Sequence, residues 1–137
     1  MASDAIRDHV HALLRAYLDA DELRFTDDGS VPIRSGSAAV FVELTNDEVP
    51  MVHVYSPVLS DVAADPELFV ALNDINATID VGRVYWNADT VMASVSIVAE
   101  TLDLIELSTA ADGIADLADR YDDELQARFG GERTFDC

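Results

Sequence analysis

The sequence is short of most residue types that carry chemistry. It holds one cysteine, Cys137, so no disulfide forms within the chain, and a reducing compartment fits that usage. A terminal thiol with no base fixed beside it is a poor nucleophile. Lysine is absent, and all eight basic residues are arginines. Of the three histidines, His9 and His11 stand two apart on a helical pattern and point in different directions, while His53 is alone on a strand pattern. No phosphate-cradling glycine loop, nucleophile elbow or CxxC pair occurs. The acid clusters at 19–22, 27–28 and 122–124 lack the spacing of a calcium loop. These absences lead us to expect no enzyme, no cofactor and no metal. No apolar run approaches the ~20 residues that cross a bilayer. The first ten residues carry no apolar signal core, and a cytoplasmic protein is the expectation.

Acid is what the chain has in excess. Asp and Glu number 27 against 8 arginines, a net charge of −19. Such a chain repels phosphate backbones and anionic membrane surfaces, so neither nucleic acid nor membrane is an expected partner. A basic peptide or protein would be attracted. The acidity has a plainer explanation as well, in solubility or in the composition of the source. Half of the 137 residues are apolar, enough for one domain with a real core.

The apolar spacing sets the elements. Ile6, Val10, Leu13, Leu14, Tyr17 and Leu18 make one face of a helix over 4–20, with Ser3 or Asp4 to cap it. The stretch LRFTDDGSVPI reads as a short strand, a turn at Asp27-Asp28-Gly29 and an extended piece holding Pro32. SAAVFVEL and MVHVYS alternate as strands, and the short connections imply an antiparallel meander. Asp65-Pro66 starts a second helix. GRVYWN and TVMASVSIV form strands around Asn87-Ala88-Asp89. From Leu104 to Phe129 a heptad-like seam runs to Gly130-Gly131, with Gly113 as a weak point inside it. That seam suits a sheet or a twin helix equally. The order α-β-β-β-α-β-β-α makes an α+β domain, an antiparallel sheet with one face under helices. The domain spans 1–131, with 132–137 as a loose tail.

Asn73 and Asn76 share a helix edge, where asparagine needs a compensating contact. The plain reading is that they fix the helix to the neighbouring strand, with Gly82 supplying a positive φ at the turn; contact with a partner is the sharper one. Trp86 falls on the core side with Val84. Arg83 and Tyr85 point the other way, joined by Met92, and this is the candidate interface face.

The segments SPVL, ALNDINATIDVGRVYWNADTVMASVSIVAETL and DRYDDELQARFGG, in that order, resemble the actinobacterial YbjN-like family, over about 23–131. That family is grouped with the type III secretion chaperones, such as the Tir and Yop chaperones. The resemblance implies their α+β sandwich fold and a small acidic homodimer that holds client peptides in extended form, through an apolar groove and strand addition. By the same resemblance the first helix and early strands contact the client, which makes Val10, Leu14, Leu18, Phe41 and Met51 the candidate peptide-binding residues. The alternative is an adaptor that binds one folded partner; a small-ligand binder or enzyme stands last.

Overall fold

The computed structural model describes residues 3–35 and 38–133. Helix α1 runs Asp4–Leu18, and the Ser3 hydroxyl accepts from the Ile6 amide at 3.2 Å. Its buried side chains are Val10 and Leu14. The strand expected at Leu23–Phe25 is not formed. Here the Thr26 amide donates to the Ser30 carbonyl (2.8 Å) and Gly29 to Thr26 (3.0 Å), so the chain closes a turn before any partner strand is reached.

The strands are β1 (Val31–Ser35), β2 (Ala38–Leu44), β3 (Met51–Ser60), β4 (Arg83–Asn87) and β5 (Thr90–Val98). They pair antiparallel in the order β1-β2-β3-β5-β4, so β1 and β4 are the edges. The Ala88-Asp89 turn between β4 and β5 has φ of 50° and 62°, the handedness that suits a two-residue hairpin. Strand β3 runs past the expected end at Ser56. Its register with β5 shifts between Pro57 and Leu59. The buried Ser56 hydroxyl donates to the Ala39 carbonyl at 2.7 Å, filling the place of the donor that proline lacks.

Helix α2 (Pro66–Asn76) starts at Asp65, whose carboxylate accepts from the Glu67 amide at 2.8 Å. Helix α3 (Leu104–Phe129) starts with a reciprocal capping box between Asp103 and Glu106. It continues unbroken through Gly113, where a Cβ would stand 3.2 Å from Val81 Cγ1. Close approach therefore explains the glycine. The seam is spent within the chain: Leu107, Ala111, Ile114, Ala118 and Leu125 are buried, and only Leu104 at its start is exposed. Two polar links tie α1 to α3 and its lead-in. The His9 Nε2–H donates to the Leu102 carbonyl (2.6 Å), and the Tyr17 hydroxyl to Asp112 (2.6 Å). Burial, then Asp112, pushes the Tyr17 pKa up to about 12, so it remains a donor.

The tail expected to be loose from 132 is paired in its first two residues. Glu132–Arg133 forms β6 against Leu59 and Ser60, and Arg133 meets Asp123 at 2.8 Å. Residues 134–137, Cys137 included, lie outside the described residues.

Candidate functional site

Strand alternation sorts the sheet into two faces. One presents Val31, Ile33, Val40, Val42, Val52, Val54, Val84 and Val91, all buried against the helices. The other carries no such cover: Phe41, Met51, His53, Tyr55, Tyr85 and Met92 are half-buried, and Val98 is exposed.

Register brings the open-face side chains into rows. Pro32, Phe41, Tyr55, Ser94 and Arg83 lie side by side across five strands. Glu43, His53 and Ser96 form the next row, Pro57, Met92 and Tyr85 the row on the far side, and Met51 pairs with Val98. The Tyr55 ring stacks on Phe41 at 5.4 Å and on His53 at 5.0 Å. Its hydroxyl is 2.8 Å from that of Ser30. The Arg83 guanidinium lies 4.7 Å above the Tyr85 ring while its Nε donates to the Ser94 hydroxyl at 3.3 Å. That contact buries Ser94 and leaves the cation half of a cation–π pair.

Charge separates this face from the rest. The chain carries 27 acids in 137 residues, yet among these rows the one carboxylate is Glu43. Burial holds the His53 imidazole below its ordinary pKa, with Glu43 opposing and Arg83 adding to the shift, so it is neutral at neutral pH. The face is apolar, aromatic and close to uncharged on a strongly acidic molecule.

A second concavity lies between α1 and the β1–β2 edge of the sheet, on the helix side, with a volume of about 310 Å³. Val10, Leu14, Val31 and Val42 form its floor, and Arg7, His11, Asp28 and Glu43 are at its rim. The His11 ring stands 5.5 Å from that of Phe25, and burial, then Arg15 and Arg7, lowers its pKa.

The five candidate peptide-binding residues are thus divided. Phe41 and Met51 are on the open face; Val10 and Leu14 are buried on the helix side, and Leu18 packs against the core there. They do not make one surface. Arg83, Tyr85 and Met92 come together, and they share the open face with Phe41 and Met51. Of the helix-edge pair, Asn76 alone bridges to the sheet: its Nδ2 donates to the Val84 carbonyl (2.9 Å) and its Oδ1 accepts from the Val84 amide (2.8 Å). Asn73 is exposed, and its side chain makes no hydrogen bond among the described residues. Gly82 has φ +83°, and a Cβ there would stand 2.8 Å from Ile114 Cδ1. Tyr55 and His53, central to the open face, were missed as site residues. The alternation of MVHVYS places them with Met51, but only the register reveals the stacked row. Among the described residues no group of three His, Cys, Asp or Glu could hold a metal, and no helix is long and apolar enough to cross a membrane.

A helix-backed antiparallel sheet of this element order is the type III secretion chaperone fold. Two solved structures carry it. A chain in the crystal structure of the ExsC–ExsE complex superposes with a TM-score of 0.66 at 15% identity, over 90% of this chain and 96% of that one. A chain in the HopA1–SchA chaperone–effector complex does so with 0.67 at 12% identity, over 90% and 99%. At these identities the likeness carries the fold. The sequence itself goes further: residues 4–137 match the family TY-Chap1, the T3SS (YopN, CesT) and YbjN peptide-binding chaperones, and the chain belongs to that family. The match takes in α1, beyond the stretch from 23 to 131 that carried the resemblance. No curated protein matches the sequence.

Proposed function

We propose that this chain is a cytoplasmic, homodimeric chaperone that holds an extended segment of a client protein and performs no chemistry on it. The observation that carries the reading is the open sheet face, apolar and acid-poor on a chain of net charge −19. Two such chains repel except where their facing surfaces are nearly neutral. The β4–β5 half, with Arg83, Tyr85 and Met92, is therefore assigned to the twin. The β2–β3 half, with Phe41 and Met51 and now Tyr55, is assigned to the client. Val10 and Leu14 serve as the floor of the helix-side groove, and Leu18 as its support; a client side chain entering there would meet them from above. The acidic remainder of the surface favours a basic client and raises its encounter rate.

The adaptor reading keeps one supporting feature, the exposed Leu104 and Ile105 at the start of α3. The rest of the seam is turned toward the core, so it offers a folded partner no apolar stripe along α3.

The test is native mass spectrometry of the protein from its own host, alongside binding to unfolded peptides. A dimer that carries peptide supports the proposal. An empty monomer that ignores unfolded peptides, yet pulls down one folded protein, favours the adaptor.

A further inference from the structure

The strand order ends in β1 on one side and β4 on the other, and these two edges present their backbone groups differently. The Thr45 amide donates to the Met51 carbonyl at 2.8 Å, which sets the alternation along β2 and β3. Counting back by twos, the backbone groups of Glu43, Phe41 and Ala39 face β3, and those of Val42 and Val40 face β1. Val31 and Ile33, opposite Val42 and Val40, then point inward, so Pro32 and Arg34 present their backbone groups to the free edge. Proline at an outward position costs the sheet no hydrogen bond. Across the sheet, the Ala99 amide donates to the Pro50 carbonyl at 3.0 Å, and the same counting turns Ser94 toward β4. Arg83 and Ser94 are then a bonded pair, and Val84 and Trp86 present their backbone groups outward.

At Val84 both outward groups are already taken. The Asn76 carboxamide accepts from its N–H at 2.8 Å and donates to its C=O at 2.9 Å, the pair of bonds that a peptide group of an added strand would make. Trp86 alone remains, with its side chain held by a 2.7 Å bond to the Val62 carbonyl. We propose that Asn76 is an edge guard: it closes β4 to strand addition, so that an extended client segment pairs with the β1 edge, along which Pro32 and Arg34 present their backbone groups. The direction of addition rests on the function proposed above; the guard does not.

Two measurements separate these parts. The first needs no client. In the whole chain, the Val84 amide exchanges with deuterium about tenfold or more slowly than that of Trp86, although both lie on an outermost strand. Asn76→Ala uncovers Val84, and the variant self-associates in light scattering beyond the wild-type state as β4 edges pair. Asn76→Asp, which can still accept from the Val84 N–H but not donate to its C=O, lies between. Equal exchange at Val84 and Trp86 in the wild type overturns the guard, even if Asn76→Ala fails to fold. So does a folded Asn76→Ala whose association state matches the wild type. The second measurement adds a synthetic peptide of alternating valine and arginine, about ten residues long, as a basic strand-forming probe. New protection at Arg34 with Trp86 unchanged supports the direction; new protection at Trp86 overturns it. A probe that gives no binding signal at any site counts against the chaperone reading itself, and the proposed direction falls with it.

Discussion

The two faces of the sheet are made from the same strands and are built for different ends. Valine is the commonest residue of the covered face, with Val40, Val52, Val54 and Val91 at 0% exposure. Valine packs with no polar side-chain atom to satisfy, and the polar groups of Ser56 and Trp86 on this face are hydrogen-bonded to carbonyls. The open face, one residue out of step, has Phe41, His53, Tyr55, Pro57, Tyr85 and Met92. Aromatic rings and a thioether give this face broad apolar area, and His53, Tyr55 and Tyr85 add polar groups at its surface. The lesson is that half-burial along a strand singles out a face as clearly as full burial marks a core, and it is this face to which the proposed function assigns binding.

The comparison breaks most sharply at Ile114, which is fully buried between α3 and the sheet. Ile114→Ala should cost about 2–5 kcal/mol in urea unfolding, whereas Met92→Ala on the open face should cost less than about 1 kcal/mol. A similar loss at both sites would mean the open face is core. Gly82→Ala comes next: positive φ and the 2.8 Å approach to Ile114 should cost about 1–3 kcal/mol, read as a fall in thermal midpoint. Asn76→Ala should cost about 1 kcal/mol, since water reaches the freed Val84 groups, while Asn73→Ala should be close to neutral.

A gentler effect concerns pH. Burial lowers the His53 pKa in the folded chain, so the unfolded chain takes up a proton first as pH falls. The stability that this provides is full above about pH 6.5 and is lost as pH falls through the folded value. His53→Gln should flatten the acid limb of the stability profile below about pH 6.5. An unchanged limb would mean that the ring is not desolvated.

Much of the covered face was legible in the sequence, because its rules are local. Ser3 and Asp65 sit where their helices begin, the 3–4 spacing of Leu107, Ala111 and Ile114 gives α3, and alternation gives the strands. What was not legible is what depends on distant pairing. Nothing near Thr90–Val98 says that β5 inserts between β3 and β4, and without that the row from Pro32 to Arg83 cannot be written. For the same reason Val10 and Leu14 were grouped with Phe41 and Met51, from which the whole sheet separates them. Leu23–Phe25 has the composition of a strand but no neighbour to pair with, because the Thr26–Ser30 turn closes first. Asn73 and Asn76 look alike in sequence; the orientation of α2 over β4 selects Asn76.

The measurement that bears most directly on the account is client occupancy in native mass spectra of the protein from its own host, wild type beside Phe41→Ser/Met51→Ser. The account predicts a dimer with bound peptide for the wild type, and a dimer of unchanged fold that has lost its passenger for the double variant. A double variant that retains its passenger would contradict the assignment of the β2–β3 half to the client. A wild type that is empty and monomeric would contradict the account as a whole.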